Sequence, residues 1–178
     1  LKFSPDGSIA AVGYLYENLS YAFDSSYVEL YHFDNCTGIF SDPIIMSYPF
    51  PYSLAFSPDN SKLYVGSIAD GNSGMCYFSQ YDISNYNQID IINSKTILAQ
   101  GGMMGTPNRL AMDGKIYVAD MDTNLLNVGL SKLGVIHNPN APGLSCNYVP
   151  EEIDLLGRMH GGGFVCFTES YFSSFDYT

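Results

Sequence analysis

Tryptophan is absent from this chain of 178 residues, and basic side chains are scarce: 7 Lys and Arg stand against 18 Asp and Glu, a formal charge of −11. A surface so poor in cations repels a phosphate backbone, which excludes nucleic acid as a partner. Long hydrophobic runs are also missing. The apolar stretches are a few residues each, far below the roughly 20 that a membrane helix requires, so no membrane insertion is expected. Charged residues of all kinds make up only 14%, and no segment keeps a 3.6-residue apolar period long enough to predict a helix. There is no CxxC pair either: Cys36, Cys76, Cys146 and Cys166 lie far apart, which argues against a zinc site and leaves disulfides, in any of three full pairings, or thiols. What the chain has instead is 15 Tyr, 11 Phe, 17 Gly and 9 Pro, residues that favour strands and turns. The expected class is all-β.

Self-similarity is the strongest feature. Leu1-Lys2-Phe3-Ser4-Pro5-Asp6-Gly7 recurs as Leu54-Ala55-Phe56-Ser57-Pro58-Asp59-Asn60, and in degraded form as Asn108-Arg109-Leu110-Ala111-Met112-Asp113-Gly114, so the turn aspartates are 53 and 54 positions apart. Pro fixes φ for a turn, Asp bonds its own backbone, and Gly or Asn accepts a left-handed conformation. Each copy runs on into a short apolar strand, Ile9 to Gly13, Leu63 to Gly66 and Ile116 to Ala119. Third strands are predicted at Val28 to Asp34, Cys76 to Asp82 and Leu125 to Leu130. Fourth strands are predicted at Pro43 to Tyr48, Ile89 to Leu98 and Tyr148 to Leu156, the last after a loop over His137 to Gly143. Four short antiparallel strands per fifty-odd residues mark a propeller blade. The units span 1–53, 54–107 and 108–160, and 161–178 reads as a closing strand or the start of a further blade. Three blades are too few to close a ring; the expectation is therefore the C-terminal part of a larger, about seven-bladed propeller, with its open edges and faces meeting other blades of the parent protein or neighbouring copies. The chain begins at Leu1 inside an apolar alternation, with no initiator Met and no signal-peptide core, as a segment that has lost its true beginning would.

The Ser-Pro-Asp-Gly turns followed by short apolar strands resemble the WD40-like repeats grouped with YVTN and lactonase-type propellers. Val28-Glu29-Leu30-Tyr31-His32-Phe33-Asp34-Asn35-Cys36-Thr37-Gly38, then Asp113 to Ala119, then Asn138-Pro139-Asn140-Ala141-Pro142-Gly143 with Cys146-Asn147-Tyr148-Val149, together resemble the propeller region of large Bacteroidetes surface proteins that carry gliding-motility-associated C-terminal domains and PKD-like modules. The resemblance covers Leu1 to about Leu156. It departs at Met112, where the pattern has Pro, and over Arg158 to Phe167, before Ser170-Tyr171-Phe172 resumes it. It implies type IX secretion to the cell surface or medium and a non-enzymatic role in adhesion, binding or structural assembly. It implies no catalytic residue, cofactor or metal. Two other roles stay open: a lactonase-like hydrolytic propeller with a metal at its central channel, and a filament subunit joined through blade edges.

The candidate sites read as follows. None of His32, His137 and His160 stands at a spacing from Ser or Cys that makes a nucleophile pair; His32 is expected to be a packed or edge strand histidine, His137 to be solvated, and His160, beside the Gly161-Gly162-Gly163 run, to be within reach of a ligand there. Asp120-Met121-Asp122-Thr123-Asn124 begins like a calcium loop but has Leu125 at position six and Ser131 at position twelve. Asp70-Gly71-Asn72-Ser73-Gly74 reads as a turn. Gly101-Gly102-Met103-Met104-Gly105 lacks the Lys and Thr of a phosphate loop. Glu151 and Glu152, adjacent on a strand, point apart. The sequons at Asn18 and Asn35 matter only in a eukaryotic secretory pathway. Tyr14, Tyr16, Tyr21 and Phe23, with Asn18, Asp24, Ser25 and Ser26 among them, suit a protein or glycan ligand, or else fill space between blades.

Overall fold

The computed structural model describes residues 1–14, 26–67, 75–101, 107–119, 131–158 and 160. They form three four-stranded antiparallel sheets, each a meander in chain order. Sheet 1 holds β1 (Lys2–Phe3), β2 (Ile9–Tyr14), β3 (Tyr27–Asp34) and β4 (Ile39–Ser47). Sheet 2 holds β5 (Pro51–Phe56), β6 (Lys62–Ser67), β7 (Cys76–Asp82) and β8 (Thr96–Gly101). Sheet 3 holds β9 (Asn108–Leu110), β10 (Ile116–Val118), β11 (Lys132–Ile136) and β12 (Tyr148–Asp154). The fold is all-β, and the sheets stack in a row as consecutive propeller blades do.

Two expectations about elements are corrected. Ile89 to Leu98 is not one strand: Gln88–Asn93 forms a helical turn, α1, before β8 begins. Asn87 caps it, its side-chain oxygen accepting from the Ile89 and Asp90 amides at 3.0 and 3.2 Å, and Asp90 adds a favourable charge to the first turn. Six residues are too few to show a period, so only the cap was there to be read. The third strand of the last sheet is Lys132–Ile136, which pairs with β10 and β12; the predicted strand at Leu125 to Leu130 lies outside the described residues. The following loop closes with a 3₁₀ turn at Gly143–Cys146 that buries Cys146.

The repeating turn sets the phase of every sheet. Ser4 Oγ accepts from the Ile9 amide at 2.9 Å and donates to Asp6 Oδ1 at 2.7 Å, while Asp6 Oδ1 also takes the Ser8 amide and hydroxyl. Ser57, Asp59, Ser61 and Lys62 repeat each of these bonds. Gly7, Asn60 and Gly114 occupy the left-handed position, φ 73°, 63° and 76°, where Gly and Asn cost least. The third hairpin is one residue shorter: its closing bond runs from the Ala111 amide to the Lys115 carbonyl, against Ser4 to Ile9 and Ser57 to Lys62. Ala111 brings no hydroxyl, so Asp113 bonds the Lys115 amide and the Tyr117 hydroxyl instead.

The sheets meet face to face. Ala11, Val28, Leu30, Ile44 and Met46 of sheet 1 pack with Phe56, Leu63, Val65 and Tyr81 of sheet 2. Its other face, through Ala55, Tyr64 and Phe78, packs on Leu110, Ile116, Val118 and Ile136 of sheet 3. β6 is therefore buried along its whole length, and the polar side chains that anchor each junction are paired. At the first junction the buried Tyr48, just past β4, turns its hydroxyl to the Val65 carbonyl at 2.9 Å, near the Tyr77 carbonyl and Ser79 Oγ. At the second, Gln80 Nε2 donates to the Tyr64 hydroxyl and the Ala141 carbonyl, its Oε1 accepts from the Gly143 amide at 2.6 Å, and the Tyr64 hydroxyl donates to the Pro139 carbonyl. Adjacent sheets also touch through β2 and β5 and through β5 and β9. A Cβ at Gly13 would stand 3.2 Å from Pro51 Cβ, and Asn108 Nδ2 donates to Ser53 Oγ at 2.7 Å.

Removing one hydrogen-bonding side chain from a buried junction strands its partners. Gln80→Ala is expected to lower unfolding free energy by about 2 kcal/mol and Tyr48→Phe by about 1 kcal/mol, the larger loss following the larger number of groups left unpaired. Urea denaturation midpoints with unchanged slopes check both.

Candidate functional site

The ionisable groups gather along the rim where the repeated turns lie. Asp6, Asp34, Asp59, Asp82 and Asp113 each receive backbone amides of their own turns. For Asp6, Asp59, Asp82 and Asp113, burial pushes the carboxyl up, but the serine or tyrosine hydroxyls and amides outweigh it and hold the group below its ordinary value. Asp34 lies below it through the Thr37 hydroxyl and the Cys36 and Thr37 amides. Each of the first two turns is tied to the next sheet: the Asp6 amide donates to Asn60 Oδ1 of the second hairpin, and the Asp59 amide to Asn140 Oδ1 of the loop between β11 and β12, both at 3.3 Å. The buried Lys62 reaches Asp82 at 3.1 Å. These carboxylates brace the scaffold.

Three further groupings sit on this frame. On sheet 3, His137 Nε2 lies 2.6 Å from Glu152 Oε2, and Tyr117 donates to Asp113 at 2.8 Å. His137 is thus half-buried and tied down rather than solvated, because the loop that begins there bends back against β12 through the His137 amide and the Asn147 carbonyl. Glu151 goes elsewhere, to Lys132 at 3.3 Å, so the adjacent glutamates do point apart. A carboxylate-held imidazole is an oriented ring; acyl transfer also needs a nucleophile and an oxyanion donor aimed at one atom. Among the described residues no three His, Cys, Asp or Glu side chains come together as metal ligands would.

Between sheets 1 and 2, His32 stacks on Tyr86, centroids 3.9 Å apart, and its Nδ1 meets Asp42 Oδ2 at 3.2 Å. Tyr86 donates to the Asp42 carbonyl at 3.0 Å, and burial pushes its hydroxyl up to about 12. His32 is an exposed strand histidine covered on one face by Tyr86. The third grouping lies on the face of sheet 1 turned away from sheet 2. Tyr14 stacks on Tyr27 at 4.8 Å, and the Glu29 carboxylate takes the hydroxyls of Tyr31 and Tyr14, which raises both phenols.

Of the sequence-derived candidates, Tyr14 and Ser26 are described, Ser26 buried. Tyr16, Asn18, Tyr21, Phe23, Asp24, Ser25, the loops 70–74 and 120–124, Gly102 to Gly105, Gly161 to Gly163 and Cys166 lie outside the described residues. His160 is half-buried and Gly101 ends β8. Cys36, Cys76 and Cys146 form no disulfide among themselves; Cys36 is exposed and the other two are buried. The Tyr27, Glu29 and Tyr31 cluster was missed by sequence reasoning, although strand alternation from Val28 to Asp34 places 27, 29 and 31 on one face.

No family model matches the chain, and no curated protein does. It is similar to a chain of the hydrazine synthase of Kuenenia stuttgartiensis, at 18% identity and a TM-score of 0.42, over 84% of this chain and 33% of that one. The chain thus spans about a third of that protein, and at this score the likeness bears on neither activity nor ligand.

Because the turn carboxylates are held below their ordinary 3.8, the stability they supply is present above that value and is lost as pH falls through their folded values. Acid unfolding is expected to set in below about pH 4. Asp6→Asn with Asp59→Asn is expected to flatten the fall in denaturation midpoint below that pH, which midpoints taken at a series of acidic pH values check.

Proposed function

We propose that the chain is a section of a β-propeller that serves as a non-catalytic binding and structural module of a larger, secreted bacterial surface protein. The observation that carries this is the threefold use of one sheet, stacked through the same faces, with the Asp of the repeated turn donating its amide to the following sheet. Its polar side chains are spent on the frame: the repeated Ser and Asp close hairpins, and Tyr48, Tyr64 and Gln80 hold the junctions. A frame of this kind presents loops and faces on rigid supports. The secreted setting is supported by the sequence resemblance and by the charge of −11, and the ligand class that fits the exposed tyrosines is a protein or a glycan.

Binding of the purified chain to arrayed glycans and to the surface proteins of a bacterium carrying the parent gene is the direct test. Saturable binding, unchanged by His137→Ala and Glu152→Gln, is the expected result. Hydrolytic turnover in a lactone and ester panel that either substitution abolishes would overturn the non-catalytic reading.

A further inference from the structure

Sheets 2 and 3 each bury one face against the sheet that precedes them in the chain. In sheet 2 that face is made by Phe56, Leu63, Val65 and Tyr81, and in sheet 3 by Leu110, Ile116, Val118 and Ile136. The closing bonds of the three hairpins fix which positions correspond. Phe3, Phe56 and Leu110 share one position, Ala10, Leu63 and Ile116 a second, and Val12, Val65 and Val118 a third. Asp34 and Asp82 end the third strands alike, which makes Phe33 the counterpart of Tyr81.

In sheet 1 the same face points away from sheet 2, since Ala11, Val28 and Leu30 are the residues turned toward it and side chains alternate. An antiparallel sheet that shows one face to water ordinarily makes that face polar. This one is largely aromatic, with the Glu29 carboxylate held by tyrosine hydroxyls within it: Phe33 lies 4.7 Å from Phe3 and 4.8 Å from Phe40, Tyr31 meets Phe40 edge-on at 5.6 Å, and Phe40 and Ile45 remain 43% and 49% exposed. A contiguous apolar patch on a soluble protein marks a contact surface.

Resting on the propeller reading above, we infer that this face seats a further four-stranded sheet of the same repeat, placed on sheet 1 as sheet 1 is placed on sheet 2. The occupant follows from correspondence with two junctions already built from the same positions: it carries small and aliphatic side chains where sheet 1 carries Ala11, Val28, Leu30, Ile44 and Met46. One difference narrows it further. Ser79, which stands near the Tyr48 hydroxyl in sheet 2, corresponds to Tyr31 in sheet 1, whose hydroxyl is already held by Glu29. The incoming sheet therefore carries a residue smaller than tyrosine at the position of Tyr48.

The test is a chain in which a second copy of residues 1–53, with Tyr48→Ser in the added copy, precedes Leu1 of the full chain. The added unit is expected to fold with the rest in one transition, to raise the thermal midpoint by about 4 °C or more, and to protect its own strand amides from exchange. Phe40→Lys with Ile45→Lys in the original copy is expected to erase that gain when each extended chain is compared with the unextended chain carrying the same two substitutions, since Phe40 also packs on Phe3, Tyr31 and Phe33. An added unit that stays unprotected, or an equal gain with the charged face, would overturn the seat. Glycan or protein binding by a chain that seats no sheet would leave the proposed function standing and remove this inference alone.

Discussion

Sheet 2 has no face left for water, and the rest of the structure is arranged around that fact. An antiparallel sheet apolar on both sides gains its stability only when both sides are covered, so the middle unit requires a neighbour in front and another behind. Burial on this scale brings a second requirement: backbone and side-chain polar groups caught at the two junctions must find partners there, because a stranded group costs as much as several buried methyl groups return. Tyr48 answers that need at one junction and the Tyr64 and Gln80 pair at the other.

The hairpin turns solve a different problem. A sheet slipped by one residue would carry its core side chains to the wrong face. The Ser and Asp side chains prevent this by closing each turn in one way only, using a hydroxyl on the first strand to hold the amide that opens the second. The third turn shows how much of this can be lost. It lacks both the serine and one residue of the loop, yet the shorter closing bond keeps Ile116 and Val118 on the buried face, because the deletion falls in the turn and leaves strand parity intact.

Much of the fold was legible because it rests on local rules. The Pro-Asp-Gly turns, the alternation in Val28 to Asp34 and Cys76 to Asp82, and the spacing of the units all repeat, and repetition makes weak signals strong. What escaped was local and unrepeated. A six-residue helix held by an Asn cap carries too little periodicity, and Lys132–Ile136 was passed over because its Gly134 weakens a strand signal. The tie of His137 to Glu152 joins residues far apart in the chain, with no spacing that announces it, whereas that of Tyr31 to Glu29 follows from strand alternation and was simply passed over.

The close approach of Gly13 to Pro51 has a mechanical consequence. It lies where the second strand of sheet 1 meets the first strand of sheet 2. A methyl group inserted there would act as a wedge, pressing on the Pro51 ring and backbone and forcing β2 and β5 apart by a few tenths of an ångström. The absence of one carbon atom at Gly13 thus sets how closely β2 can approach β5.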